Sequence, residues 1–380
     1  MSKKIQLGRY GENPHQTAWK EVDESYNGPN VLTKTLHGKP LGYNNLLDAN
    51  TALEVMLDFS REPAAVVVKH QNPCGLATGY DLKEAFKNAW FGDEVSAFGS
   101  VVGYSQKVGQ DVVKLLTNKF VEVLVAPDYD ESALTWIKSK KSKKNLRIIP
   151  TGNLENPPNF IEKYYIRGGI ISQTQNNKIC LGDKIEDILT KPKIITEPKT
   201  GTKYKIGCVT KKNFKDNMEN LVRFAIIAGK YVKSNAIILA YEYETGKYRL
   251  LGIGAGQPNR KDSVEKLAIP KAKENLMRQY FREQSLDYVI TMDRIIHDKE
   301  YRNRISEEIE SYTKNILSSE KVVLFSDAFF PFKDGLVAAA QSGIRYIVQP
   351  GGSTMDESII NAANEYGLAM SFTGIRHFRH

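Results

Sequence analysis

The hydrophobic pattern alternates between short apolar runs and longer amphipathic runs, which is typical of an α/β chain. Apolar runs in the first half predict strands, and apolar residues spaced by three and four predict helices. The predicted strands are Ala64–Lys69, Phe98–Tyr104, Val121–Ala126 and Asn145–Ile149, and the predicted helices are Leu82–Trp90, Lys107–Leu116 and Glu131–Lys141. The segment Asn153–Asn159, rich in Pro and Asn, predicts a loop.

The second half repeats this alternation. Its predicted strands are Asn235–Tyr241, Tyr248–Gly254, Val322–Phe325, Tyr346–Gln349 and Leu368–Phe372, and its predicted helices are Asn217–Val232, Ser263–Glu283 and Asp356–Tyr366. Between the halves, Lys184–Tyr204 shows little periodicity and predicts a domain boundary. We therefore expect one α/β domain over residues 1–190 and a second over residues 191–380, with the helical segment 278–319 free to pack with the first domain.

Length and composition place the chain among ordinary globular proteins. It has 380 residues, of which 41% are hydrophobic, enough for two domains with their own cores. No apolar run reaches membrane-spanning length, and Met1–Lys4 leads on without the apolar region of a signal peptide. The three cysteines show neither a disulfide framework nor a zinc spacing, which predicts a reducing, cytoplasmic location.

The formal net charge of +9 raises the question of nucleic-acid binding. Much of the excess lies in Lys138–Lys144 and Lys191–Lys215, and no aromatic-basic RNA motif or zinc-finger spacing accompanies it. A basic cleft for small anionic substrates explains the charge equally well. The run Lys138–Lys144 is either a solvated helix end or a binding site for phosphate or a polyglutamate tail.

Lys69 and His70 follow the apolar run Ala64–Val68, and Pro73 and Gly75 are expected to end the strand there. An ammonium and an imidazole would then stand side by side at the carboxyl edge of a sheet, where open α/β folds bind ligands. Such a pair suits proton transfer at a reacting nitrogen or carbonyl. The alternative is a strand that ends in two solvated polar residues.

Three further polar motifs follow predicted strands, which indicates one shared cleft. They are Ser326–Asp334, Gln349–Ser353 and Thr373–His380. The first places three phenylalanines between two aspartates, so it is either a core cluster or a surface that stacks a flat heterocycle while Asp334 accepts from ring nitrogens. The apolar strand before Thr373 predicts that the C-terminal tail is held in place.

Two arginines are candidate anion contacts. Arg9 begins Arg9–Gln16, and its planar guanidinium suits phosphate or carboxylate, although a surface turn is the alternative. Arg260 ends Gly252–Arg260, where the dinucleotide fingerprint fails because Gln257 stands at its third glycine position. A solvated arginine at the end of a hairpin loop is the alternative for Arg260.

Taken together, these motifs resemble the transformylase part of the bifunctional purine-biosynthesis family, which acts on 5-aminoimidazole-4-carboxamide ribonucleotide (AICAR). The resemblance rests on Arg9–Gln16, Lys69–Gly75, Ser96–Gly99, Ser234-Asn235, Gly252–Arg260, Ser326–Asp334, Gln349–Ser353 and Arg376–His380. It implies two cytidine-deaminase-like α/β domains. The zinc signature of the deaminases is missing, so no zinc is implied, and a structural monovalent cation remains open.

The resemblance also implies partners. In the family an inosine monophosphate (IMP) cyclohydrolase domain precedes the transformylase, whereas Arg9 here lies almost at the start of the sequence. We therefore expect a stand-alone transformylase, a separate IMP cyclohydrolase, and a homodimer with shared active sites. Neither nucleic acid nor a membrane is an expected partner.

By resemblance, a formyl group passes from the co-substrate 10-formyltetrahydrofolate to the 5-amino group of AICAR. The implied catalytic residues are Lys69, His70 and Asn235, the AICAR-binding residues Arg9, Tyr10, Gly99, Glu122, Lys141 and Arg376, and the folate-binding residues Arg260, Phe329, Asp334, Ser353 and Thr354. His70 would act as the base, Lys69 would favour the developing oxyanion or the departing folate nitrogen, and Asn235 would donate to the oxyanion.

Two other functions remain open. One is a non-catalytic protein of the same fold that binds purine nucleotides or RNA. The other is a different folate-dependent or formate-using formyl transfer to the same amine, although no phosphate-binding loop for ATP occurs in the sequence.

Overall fold

A computed structural model of the chain describes residues 2–197 and 200–380. The chain forms two compact units, Met1–Lys178 and Ile179–His380. This division falls ahead of the predicted boundary between residues 190 and 191. Lys184–Tyr204 contains regular structure, since Lys193–Thr196 is a strand and another begins at Lys203; residues 198 and 199 of this stretch lie outside the described residues.

The first unit contains nine strands and four helices among its described residues. The strands are β1 (Ser2–Gln6), β2 (Trp19–Asp23), β3 (Ala64–Lys69), β4 (Asn72–Thr78), β5 (Ser100–Tyr104), β6 (Val121–Ala126), β7 (Arg147–Pro150), β8 (Ile161–Ile166) and β9 (Gly169–Thr174). The helices are α1 (Tyr43–Leu57), α2 (Leu82–Trp90), α3 (Gln110–Val113) and α4 (Glu131–Ser139). The predictions of β3, β6 and α2 are confirmed residue for residue, and the loop at Asn153–Asn159 is also confirmed.

The central sheet of this unit has the order β4-β3-β5-β6-β7. β3 runs antiparallel to both β4 and β5, whereas β5, β6 and β7 are parallel. Helices α2, α3 and α4 pack against one face of this sheet, the face that carries Ala65 and Val67 of β3. Helix α1 covers the other face, where a Cβ on Gly103 would lie 3.0 Å from that of Ala52 and 2.9 Å from Val66. The continuous apolar character of β3 follows from burial on both faces.

The prediction that Pro73 and Gly75 end the strand is wrong. β3 returns directly as β4 through a two-residue turn at His70 and Gln71, whose φ angles are +52° and +60°. The register of the β3–β4 pairing shifts between Val67 and Val68, opposite Pro73. Proline has no N–H to donate to a neighbouring strand, and such a bulge accommodates it. Gly75 is needed because a Cβ there would lie 1.9 Å from the carbonyl oxygen of Ala89 in α2.

The second unit contains seven strands and seven helices among its described residues. The strands are β10 (Lys193–Thr196), β11 (Lys203–Cys208), β12 (Ile237–Glu244), β13 (Lys247–Gly254), β14 (Val322–Ser326), β15 (Tyr346–Gln349) and β16 (Ala369–Phe372). The helices are α5 (Glu219–Lys230), α6 (Arg260–Asp262), α7 (Ile269–Glu283), α8 (Tyr288–His297), α9 (Lys299–Leu317), α10 (Lys333–Gln341) and α11 (Asp356–Glu365). A π-helical turn, Ser263–Ala268, joins α6 to α7.

The sheet of this unit has the order β10-β11-β16-β15-β14-β12-β13. β14, β15 and β16 are parallel, so their carboxyl ends meet at one edge. That edge carries the motifs that begin at Ser326, Gln349 and Thr373, as predicted for them. The helices α7, α8 and α9 pack around Phe281, Tyr301 and Ile305, so the segment 278–319 is assigned to this unit.

Two further observations concern the whole described chain. None of its described helices is both long and apolar enough to cross a membrane. Cys74, Cys180 and Cys208 carry free thiols, and all three are buried.

Candidate functional site

A cavity of about 280 Å³ in the first unit lies beside the β3–β4 turn. Its lining brings together residues that are far apart in the sequence, namely Arg9, Tyr10, Gly11, Gly42, Tyr43, Asn44, Asn45, Asp48, Lys69, His70, Gly99, Val101 and Glu122. The prediction that His70 lies at the edge of the sheet formed by the carboxyl ends of the parallel strands is wrong. Because β3 is antiparallel to β5, its end lies at the amino ends of β5 and β6, next to Gly99 and Glu122.

The turn that carries His70 is held by an acidic residue from α1. The backbone N–H of Gln71 donates to Asp48 Oδ1 at 2.6 Å. Burial raises the pKa of the Asp48 carboxyl, while the bond from Gln71 and the charges of His70 and Lys69 act in the opposite direction. His70 is exposed, so its imidazole is open to a ligand on one side and lies near a carboxyl group on the other.

Lys69 is oriented by the loop before β5. Its Nζ donates to the carbonyl oxygens of Phe98 at 2.6 Å and Gly99 at 3.5 Å. Gly99 has a φ of +71°, and a Cβ there would lie 3.4 Å from Lys69 Nζ and from the ring of Phe120. The glycine therefore permits a backbone conformation that L residues rarely adopt and leaves room for the ammonium group.

Glu122 forms the acidic wall of the cavity. Its Oε2 accepts from Asn45 Nδ2 at 2.9 Å and from the guanidinium of Arg147 at 3.3 Å. Arg9 and Tyr10 also line the cavity and are exposed, with the Arg9 guanidinium 5.5 Å from the centre of the Tyr10 ring. Lys141, a predicted AICAR contact, is exposed but does not line this cavity.

Asn235 lies two residues before β12 in the second unit, and both the nitrogen and the oxygen of its side-chain amide are hydrogen-bonded. Its Nδ2 donates to the carbonyl oxygens of Gln257 at 2.9 Å and Pro258 at 3.2 Å. Its Oδ1 accepts from Arg260 at 2.7 Å. To donate to an oxyanion, as predicted, Asn235 would have to exchange one of the two carbonyl contacts for it.

Arg260 is an internal residue rather than a solvated one, which excludes the hairpin-loop alternative. Its side chain is only 4% exposed and pairs with the fully buried carboxylate of Asp327. It also donates to Ser326 Oγ at 2.9 Å. With its guanidinium committed to these partners and to Asn235, Arg260 fixes the asparagine amide in this structure.

Asp327 also connects this segment to the C-terminal tail. Its Oδ2 accepts from Ser234 Oγ at 2.6 Å, and its carbonyl oxygen accepts from the N–H of His377 at 2.8 Å. The N–H of Arg379 donates to Ser234 Oγ at 3.1 Å. The prediction that the tail is held in place is confirmed, and it leaves Arg376 exposed, 5.1 Å from the ring centre of Phe378.

The other four predicted folate residues of the second unit, Phe329, Asp334, Ser353 and Thr354, lie in the segments that follow β14 and β15. Phe329 is half-buried and Asp334 is exposed in the first turn of α10. Ser353 accepts from the Met355 N–H at 3.0 Å within a turn. Thr354 lines a cavity of about 410 Å³, which is also lined by Lys333 at the start of α10. The segments after β14 and β15 are in contact, because Gln349 Oε1 accepts from the N–H of Phe330 at 2.8 Å. The folate-binding roles of Phe329, Asp334, Ser353 and Thr354 stay predictions.

Sequence reasoning missed the residues that support these side chains. Asn45 and Asp48 are three apart on α1, a spacing that places both on one face of a helix and was available from the sequence. Arg147 and Asp327 carry no local signal, because their partners Glu122 and Arg260 are distant in sequence. No group of three or more His, Cys, Asp or Glu side chains that could hold a metal occurs within the described ranges 2–197 and 200–380.

Comparisons with known proteins identify the family. The family model of the AICARFT/IMPCHase bienzyme matches residues 1–271. The chain is 37% identical over 374 residues to the "Bifunctional purine biosynthesis protein PurH" of Lactobacillus delbrueckii subsp. bulgaricus, covering 98% of this chain and 59% of that protein. It is 38% identical over 377 residues to the protein of that name from Bartonella tribocorum, covering 98% and 58%.

A third relative, the PurH protein of Persephonella marina, is 36% identical over 374 residues, again covering 98% of this chain and 59% of the relative. The chain thus spans about three fifths of the length of these curated relatives. Because the family model matches well over half of the chain, the protein belongs to the AICARFT/IMPCHase bienzyme family.

Proposed function

We propose that this chain transfers the formyl group of 10-formyltetrahydrofolate to the 5-amino group of AICAR in de novo purine biosynthesis, in the cytoplasm. The products would be the formylated nucleotide, FAICAR, and tetrahydrofolate. One observation carries the proposal: Lys69 and His70 line one cavity with Arg9, Tyr10, Gly99 and Glu122, which the motifs assign to AICAR.

The chemistry that this cavity supports begins with the amine. The lone pair of the 5-amino nitrogen is delocalised into the imidazole ring and carboxamide, so the nitrogen is a weak nucleophile until its proton is removed. The exposed imidazole of His70 would take that proton as the nitrogen attacks the formyl carbon. General-base catalysis of this kind contributes about 10²–10⁴-fold. The bond from the formyl carbon to the folate nitrogen then breaks as that nitrogen takes up the proton held by His70, which releases tetrahydrofolate and restores the neutral imidazole.

Lys69 would stabilise the charge that develops during this transfer. Two of its three N–H groups are aimed at the carbonyl oxygens of Phe98 and Gly99, which leaves one for the oxyanion or the leaving nitrogen. Preorganised donors of this kind are effective because no reorganisation is needed during the reaction. The proposed oxyanion role of Asn235, in the second unit, requires exchange of its longer contact, that to Pro258 at 3.2 Å.

We also propose the homodimer that the resemblance implies. The β8–β9 hairpin of the first unit exposes a series of large apolar side chains. Tyr165 is 80% exposed, and Ile166 and Ile171 are more than half exposed. An isolated two-stranded hairpin is marginal in water, and a second copy of the chain that covers it would remove this apolar surface from solvent. Sedimentation of the full chain, with Tyr165→Ser as the weakened variant, measures this association.

The variant His70→Ala tests the proposed function. Turnover of AICAR with 10-formyltetrahydrofolate should be abolished, while AICAR affinity stays within about tenfold, since the imidazole is needed for proton removal rather than for binding. The matched control is His297→Ala, which removes an exposed imidazole from α8 and should keep full turnover. Full activity in His70→Ala would remove His70 from the mechanism. AICAR binding without turnover by the unmodified chain would favour the non-catalytic alternative.

A further inference from the structure

A cavity of about 600 Å³ in the second unit lies among the helices α7, α8 and α9 and the turn that follows α10. It shares no residue with the cavity at the β3–β4 turn or with the predicted catalytic, AICAR-binding and folate-binding residues. Small-molecule sites usually have volumes of about 300–1,000 Å³. The cavity is therefore large enough for a ligand that the proposed function does not account for.

Much of this lining is apolar. Five side chains from α7, α8 and α9 contribute, namely Met277, Met292, Ile295, Ile309 and Leu317. The first four are half-buried, so they retain apolar surface that the neighbouring helices do not cover. Methionine has a flexible thioether side chain, which adapts to ligands of different shape. This part of the lining suits the apolar body of a ligand.

The C-terminal end of α9 brings polar groups to the same cavity. Lys314 lies in the last turn of α9 and is exposed. Arg345 follows the turn after α10, and its Nη1 donates to two backbone carbonyl oxygens of its own segment, each at 3.2 Å. This turn packs against the end of α9, since a Cβ on Gly343 would lie 3.5 Å from that of Leu317. The lining is thus apolar around Ile309 and cationic near the end of α9.

Three cations of this lining have no carboxylate partner. Lys273, Lys314 and Arg345 form no ion pair within residues 2–197 and 200–380. The charge of Arg345 also acts on Lys212, because burial lowers the pKa of Lys212 and Arg345 lowers it further. Positive charge therefore remains on the lining.

The acids of the lining offset only part of this charge. Glu274 is already paired with two cations outside the lining, Lys271 at 3.0 Å and Arg278 at 3.2 Å. Glu310 is exposed and is the one acid of the lining without an ion pair in the described part of the chain. Since the C-terminal ends of α9 and α10 each contribute about half a negative charge, roughly one positive charge remains. A ligand with a single negative charge would neutralise it.

Thr313 gives a second, independent observation. It lies on the lining between Ile309 and Leu317, on one face of α9, and is 6% exposed. Its hydroxyl is buried and has no hydrogen-bond partner among the residues that the structure describes. Such a hydroxyl is an exception in folded proteins. Because threonine adopts two χ1 rotamers in helices, the hydroxyl can turn toward a ligand oxygen in the cavity.

We propose that this cavity binds an amphipathic monocarboxylate, the anion of a medium-chain fatty acid. The hydrocarbon chain would lie along α9 against Ile309 and the two methionines, and the carboxylate would accept from Lys314, Arg345 and the hydroxyl of Thr313. From Ile309 to Leu317 the helix rises about 12 Å, which matches a chain of about eight carbons that ends in a carboxylate.

Titration calorimetry of the full chain with octanoate tests this site. Lys314→Gln removes an exposed cation and should weaken octanoate binding by about three- to fivefold. Thr313→Val keeps the shape of the side chain without its hydroxyl. This variant should weaken binding by about three- to tenfold without lowering the urea midpoint, because the lost hydroxyl has no partner in the described chain.

A matched variant and a matched ligand serve as controls. Lys299→Gln removes the same charge from the exposed first residue of α9, outside the lining, and should leave octanoate affinity within about twofold. Octan-1-ol carries the same chain without the charge, so Lys314→Gln should leave octanol affinity within about twofold.

The proposal is overturned if the unmodified chain shows no saturable octanoate binding, or if either Lys314→Gln or Thr313→Val binds octanoate as tightly as Lys299→Gln does. Equal losses of octanoate and octanol affinity in Lys314→Gln would also overturn it, since the lysine would then not contact the carboxylate.

Discussion

Replacing Asp327 by Asn should strongly destabilise the second unit, because it breaks a buried ion pair. The Arg260 side chain is 4% exposed and that of Asp327 is 0% exposed, so the substitution leaves a guanidinium buried without a counter-charge. Breaking such a pair costs about 3–5 kcal/mol. An amide oxygen still accepts from Ser234, so we expect the lower end, about 3 kcal/mol of unfolding free energy.

Urea unfolding measures this difference. The signal should be far-ultraviolet circular dichroism, because Trp19, Trp90 and Trp136 all lie in the first unit and their fluorescence would not report on the second. The control is Asp334→Asn, which changes an exposed aspartate in the first turn of α10, seven residues further along the chain, and should stay within about 0.5 kcal/mol.

A double variant separates the ion pair from other effects of the substitution. Asp327→Leu combined with Arg260→Met removes both charges and should recover much of the lost stability, as replacements of buried pairs by apolar residues do. Equal urea midpoints for Asp327→Asn and Asp334→Asn would refute this account of how Asn235 is held.

Two further predictions concern the first unit. Gly75→Ala should destabilise it by about 3 kcal/mol in thermal or urea unfolding, because the new Cβ would lie 1.9 Å from the Ala89 carbonyl oxygen; Gly169→Ala, with open space at that position, is the control, and equal effects would contradict the packing argument. Asp48→Asn keeps an acceptor for the Gln71 N–H but removes a carboxylate whose pKa is raised above 3.8 by burial. Ionising that carboxylate destabilises the folded chain, so the variant should be more stable than the unmodified chain. This gain in unfolding free energy should be absent well below pH 3.8 and grow as the pH rises through the folded-state pKa of Asp48. A gain that stays level or falls with rising pH would contradict this assignment. The same variant removes the negative charge of Asp48 from beside His70. Solvent weakens this interaction because His70 is exposed, so kcat/KM should fall by only about fivefold.

The sequence predicted the elements whose identity depends on burial alone. Ala64–Lys69, Val121–Ala126 and Tyr346–Gln349 are strands with these bounds because each is apolar enough to be covered on both faces. The exposed hairpin β8–β9 was missed, since exposed strands carry no alternation of apolar and polar residues that a pattern would detect.

The turn at His70 was missed for a different reason. Two-residue hairpin turns with positive φ normally use Asn and Gly, whereas this one uses His and Gln. Its conformation is supported by Asp48 from α1, a tertiary contact that no local pattern contains.

For the site, the sequence identified the residues that carry charge or chemistry but not how they are paired. Arg9, Lys69, His70 and Glu122 do share one cavity. The burial of Arg260 against Asp327 depends on a strand and a loop that meet only in the folded chain, so a solvated anion contact and an internal ion pair were indistinguishable beforehand.

The most direct test of the central claim is a formyl-transfer assay of the purified full chain. AICAR and 10-formyltetrahydrofolate are mixed with the protein, and the formylated nucleotide and tetrahydrofolate are measured separately. We predict that both products form in equal amounts. Tight binding of AICAR with no formylated nucleotide formed would contradict the account.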